Sequence, residues 1–170
     1  MAHPLVLALF ATPAAAATAA RALHARGIER DQISVVSRSH DEDGALADQM
    51  DASPGADIED SRPAARLGEL GGLVLAAIAV GMPGIGAIVA AGPLAAGLGE
   101  AAGHVAGGVA ATLKASGVPG PRAEQMEDAV ERGSVLLAVH ATADQTGIVK
   151  DALVSAEPLE LDVANWNEDR

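Results

Sequence analysis

Apolar and polar positions along the chain form two segments of similar outline, separated by a long stretch of a different kind. PLVLALF, from Pro4 to Phe10, is an unbroken apolar run suited to a strand buried on both faces. Thr12 and Pro13 follow as a helix cap and a first-turn proline, so an alanine-dominated helix is expected from about Pro13 to Arg26. Leu23 is its largest apolar side chain, and Gly27 stands where a left-handed C-terminal residue is expected. DQISVVSR, Asp31 to Arg38, then reads as a second strand, with Ile33 and Val35 on one face and Val36 on the other.

The second segment begins with GPRAEQMEDAVERGS, Gly120 to Ser134. This is a short amphipathic helix: Met126 and Val130 share one face, while Glu124, Glu127, Asp128 and Glu131 face water. SVLLAVHA, Ser134 to Ala141, is a buried-strand pattern. A helix from about Ala143 to Ala156 should turn Ile148, Val149, Ala152 and Leu153 inward, and LELDVANW alternates as a final strand with Leu159, Leu161 and Val163 on one face. With residues 40–120 set aside, the order is strand, helix, strand, then strand, helix, strand. That order predicts an α+β fold: a ferredoxin-like βαβ-βαβ sheet domain. The two halves are alike in outline but show no residue-level repeat.

Between the halves lie two unlike stretches. HDEDGALADQMDASPGADIED, from His40 to Asp60, carries eight acidic residues and no Lys or Arg, which predicts a solvated acidic linker over 40–65. His40 beside Asp41, Glu42 and Asp43 suggests metal ligation, yet consecutive ligands on a loop do not converge by themselves, so no metal site is assigned. GGLVLAAIAVGMPGIGAIVAAGPLAAGLG, from Gly71 to Gly99, has no charged residue, and twelve Leu, Ile, Val and Met residues lie between Leu70 and Leu98. The Pro83, Gly84 and Gly86 cluster breaks the run near its middle, so the expectation over 66–117 is an inserted Ala/Gly-rich helical hairpin that turns there. Gly68 and Gly72, and then Gly99, Gly103 and Gly107, recur at a spacing of four; on a helix this lets another backbone approach closely, and these five glycines are the expected association face. The organisation read from the chain is therefore 1–39 as the first half of the α+β domain, 40–65 as linker, 66–117 as hairpin, and 118–170 as a helix plus the second half.

Composition narrows the function. A net charge of −12 disfavours nucleic acid, whose phosphates need clustered Lys and Arg. Phe10 and Trp166 are the only aromatic residues, so base stacking has little to draw on. Without cysteine, disulfides, thiolate metal sites and cysteine nucleophiles are excluded. The apolar start lacks a basic n-region, the first Lys or Arg being Arg21, and so reads as strand and helix instead of a secretory signal. About 20 apolar residues cross a bilayer. Each limb around Pro83 is shorter than that, and the second continues through Glu100 and His104 to Lys114, so burial in the domain or in an oligomer stands against membrane attachment.

No catalytic constellation emerges. GMPGIGAI lacks the third glycine of a dinucleotide fingerprint, and GVPGPR lacks the Lys and Ser or Thr of a P-loop. His140 with Thr142 and Asp144 invites an acid–base proposal, which would need His24 gathered into the same cleft. Ser37, Ser39 and Ser134 lack a nucleophile elbow, His104 reads as solvent-facing, and Trp166 as packed on the sheet.

LVLALF with its Ala-rich helix, GIERDQISVVSR, MPGIGAIVAAGPLAAGL, GVPGPRAEQMEDAVERGSVLLAVHA and the terminal helix and strand together resemble the bacterial heat-induced general-stress-protein family, also called YflT-like. The resemblance covers nearly the whole chain outside the acidic loop. It implies a small bacterial protein associated with stress, and it carries across no catalytic activity, active site or cofactor. The expectation is a nonenzymatic stress-associated protein whose glycine-zipper hairpin mediates homo-oligomer formation or attachment to membrane lipid, in the cytoplasm or at the inner membrane. A small-molecule-sensing module of ferredoxin-like type, or an enzyme with an unrecognised site, is the alternative.

Overall fold

A computed structural model describes residues 2–38, 77–82, 86–91, 93–94 and 108–167. In chain order they form β1 (Ala2–Phe10), α1 (Pro13–His24), a 3-10 turn (Arg30–Gln32), β2 (Ile33–Arg38), β3 (Ala77–Met82) and β4 (Gly86–Ala91). α2 (Val109–Ala115), α3 (Gly120–Glu131), β5 (Val135–His140), α4 (Thr146–Val154) and β6 (Glu160–Asn167) follow. The strands build one antiparallel sheet in the order β3-β4-β2-β5-β1-β6.

Helices cover both faces of this sheet. Strand alternation sends Leu5, Leu7 and Leu9 of β1, Val36 of β2 and Leu136 and Ala138 of β5 to one side, where they pack with Val109 and Leu113 of α2 and Met126 and Val130 of α3. Val6, Ala8, Phe10, Ile33, Val35, Leu137 and Val139 go to the other, against α1 and α4. The unbroken apolar run of β1 thus has its cause: both of its faces are covered. Ala16, Ala17, Ala19 and Ala20 of α1 are all buried, and their small side chains let the helix axis lie close to the sheet.

Local sequence sets the helix ends. Thr12 Oγ1 accepts a hydrogen bond from Ala15 N (3.2 Å), and Pro13 occupies the first turn, as expected. Three helices end on a glycine with positive φ: Gly27 (82°), Gly117 (90°) and Gly133 (102°). In each case the next residue donates its N–H back to a carbonyl five residues earlier: Ile28 to Leu23, Val118 to Leu113 and Ser134 to Ala129. For the first two, both partners are buried apolar residues, so the bond and the apolar contact of a Schellman end coincide. After α4 the positive-φ position is Glu157 (52°), a residue that has a Cβ.

The central stretch departs from the expectation. Residues 77–82 and 86–91, read as limbs of a helical hairpin, are paired antiparallel strands, and β4 adds to β2 through Val35↔Ala91 to Arg38↔Ile88. Two physical causes outweigh the small-residue spacing that suggested helix. Ile78, Val80, Ile88 and Val89 are β-branched, and β2 presents an edge whose backbone groups need partners. Ala90 of β4 is buried in the α2/α3 core, so this stretch belongs to the sheet and is no separate helical unit. The sheet consequently has six strands, and its order departs from the four-stranded arrangement expected from the element order. Part of 66–117 is helical nonetheless, as α2.

Met82 pairs with Gly86, so the chain reverses between the two strands; Gly86 opens β4, while Pro83 and Gly84 lie outside the described residues. Gly68, Gly72, Gly99, Gly103 and Gly107 also lie outside them, as does the stretch 40–65. Among the described residues no helix is long and apolar enough to cross a membrane. Smaller corrections concern element limits: β2 starts at Ile33 because Arg30–Gln32 forms the 3-10 turn, and α4 starts at Thr146.

Candidate functional site

Two polar or exposed assemblies stand out among the described residues, one at an end of the sheet and one along its edge. At the end, Gln32 closes the 3-10 turn and reaches the connection after β5. Its Nε2 donates to His140 O (2.9 Å) and to Gln145 Oε1 (3.0 Å), and its Oε1 accepts from Glu29 N (3.1 Å). Gln145 Oε1 also accepts from Thr142 N (3.1 Å). The cluster ties the α1–β2 connection to the β5–α4 connection. Both carboxamides are occupied in holding backbone, an architectural use of polar atoms.

His140, Asp144 and His24 are not brought into one cleft. Alternation along β5 puts the His140 side chain on the α2/α3 face with Leu136 and Ala138, whereas Asp144 lies in the turn that leads to α4 on the opposite face. His24 stands in the last turn of α1, where Nδ1 donates to Ile28 O (2.8 Å). Burial lowers the proton affinity of His140, and the neighbouring His3 lowers it further. Asp144 is fully exposed, and its carboxyl is held below the usual range by a hydrogen bond from the Thr142 side chain.

Of the serines, Ser37 is buried within β2. Ser34, which carried no signal in the sequence, is fully buried and accepts a hydrogen bond from Leu94 N through Oγ (3.0 Å). No group of three or more His, Asp or Glu among the described residues could hold a metal ion. His40, Asp41, Glu42, Asp43 and His104 lie outside those residues, and nothing is described of the Trp166 side chain.

The second assembly is β6, the last strand of the sheet. It pairs with β1 from Ala2↔Asn167 to Leu9↔Glu160, and among the described residues no strand lies on its other side. On the α2/α3 face, Arg122 in the first turn of α3 reaches across: Nε donates to Asp162 Oδ2 (2.9 Å), and Nη1 donates to Glu160 Oε1 (3.2 Å) and Gln125 Oε1 (3.2 Å). The hydrogen bond to Asp162 comes first in strengthening the guanidinium's hold on its proton, and Glu160 adds to it. Asp162 Oδ1 meanwhile accepts from Val163 N (2.8 Å).

On the opposite face several apolar side chains are open, Ile148 among them against the expectation that it turns inward. Leu159, just before β6, is 60% exposed and Val163 38% exposed, while Leu161 is partly buried against the α1/α4 core. On α4, Ile148 is 47% exposed and Val154 56% exposed, whereas Val149, Ala152 and Leu153 are buried. The alternation correctly places Leu161 and Val163 on one face, beside Ala8 and Val6 of β1, while Leu159 precedes the strand; the position of β6 at the sheet border leaves Val163 uncovered. The Arg122–Asp162 contact joins residues 40 positions apart, and the only trace of it in the sequence is an Arg in the first turn of an amphipathic helix and acids alternating with Leu161.

No protein-family model, curated protein or solved structure matches the chain.

Proposed function

We propose that this chain is a nonenzymatic, stress-associated protein that works by self-association, with β6 and the adjoining apolar side chains as the contact face. The observation that carries the reading is the edge of β6, unpaired among the described residues: Val163 is exposed on a strand that contains neither Lys nor Pro, and Leu159 is exposed just before it. Natural proteins blunt such edges with those residues or cover them, so an uncovered apolar edge favours pairing with another chain. The stress association rests on the resemblance to the heat-induced general-stress-protein family. Strands β6-β1-β5-β2 with α1 and α4 are read as a ferredoxin-like unit extended by the β3–β4 hairpin; the support is their βαβ-βαβ chain order.

The glycines at 68, 72, 99, 103 and 107 provide the rival contact face, and membrane attachment the rival destination. The test is the mass of the full chain by light scattering without detergent, alongside fractionation between cytosol and carbonate-washed membrane. A discrete multiple of 16.9 kDa, reduced by Val163→Lys and unchanged by Gly103→Leu, is the expected result. A monomer at every concentration, with no membrane retention, overturns the reading. Dissociation by Gly103→Leu alone moves the contact to the glycine-rich stretch, and retention in the washed membrane replaces self-association with lipid attachment.

A further inference from the structure

We draw no further inference here: the strongest candidate, the His3 and His140 side chains that share the α2/α3 face at one end of β1 and β5, rests on the lowered proton affinity of His140 alone, with no cavity or ligand-directed group described beside it.

Discussion

Arg122 Nε and Asp162 Oδ2, 2.9 Å apart, join the first turn of α3 to the edge strand β6 across one face of the sheet. Both side chains are about one-third exposed, so solvent screens the pair, and exposed ion pairs contribute ~0.2–1 kcal/mol. Arg122 also holds Glu160, so its removal leaves two carboxylates on the same face of β6 without their cation. Arg122→Ala should therefore destabilise the fold more than Asp162→Asn, with a coupling of about 1 kcal/mol or less in a double-mutant cycle read by urea unfolding. Equal losses for the two single variants would show that Glu160 takes no part. The coupling should weaken in high salt.

Glu157 sits at φ 52°, the position that glycine fills after α1, α2 and α3. A left-handed conformation costs a residue with a Cβ about 1–2 kcal/mol, while glycine's greater freedom in the unfolded chain offsets part of that. Glu157→Gly should raise stability by about 0.5–1 kcal/mol, measured as a higher denaturation midpoint at unchanged slope. The reverse change at Gly27, where a Cβ would meet open space, should lower stability through backbone strain alone.

His140 links stability to pH. Its folded-state proton affinity lies below the ordinary value of 6.5 because burial, and then His3, disfavour the charged ring. The folded chain therefore prefers the neutral imidazole: the contribution is fully present above pH 6.5 and is lost as pH falls from there through the folded-state pKa. Thermal unfolding at pH 7.5 and 5.5 should show a loss at the lower pH that is smaller in His140→Asn. An identical pH dependence in the variant would assign the loss to other groups.

Thr112 is buried on α2, and among the described residues its Oγ1 has no hydrogen-bond partner. Burying a hydroxyl without a partner costs about 1–3 kcal/mol, and valine has nearly the same shape. Thr112→Val should stabilise the protein by about 1 kcal/mol in chemical denaturation. A loss instead would show that the hydroxyl is satisfied in solution, by water for example.

Much of the architecture was legible because its causes are local. Thr12-Pro13 starts α1, Gly27 and Gly133 end α1 and α3, and the apolar runs 4–10 and 135–139 mark strands covered on both faces. Alternation also placed Ile33 and Val35 opposite Val36, as found in the two cores. Each of these features depends on residues within a few positions of one another.

Tertiary structure decided what depends on neighbours distant in sequence. Residues 77–82 and 86–91 lie in an Ala/Gly-rich stretch read as helical, and the pairing of β4 with the open side of β2 and of β3 with β4 made them strands, because backbone groups at a sheet edge need partners. The exposure of Leu159 and Val163 follows from the place of β6 at the sheet border, which strand order determines and side-chain alternation does not encode. Gln32 meeting His140 and Gln145, and Arg122 meeting Asp162, are likewise products of register and helix placement. Periodicity tells a residue which face it shares; only the packed sheet determines whether anything covers that face.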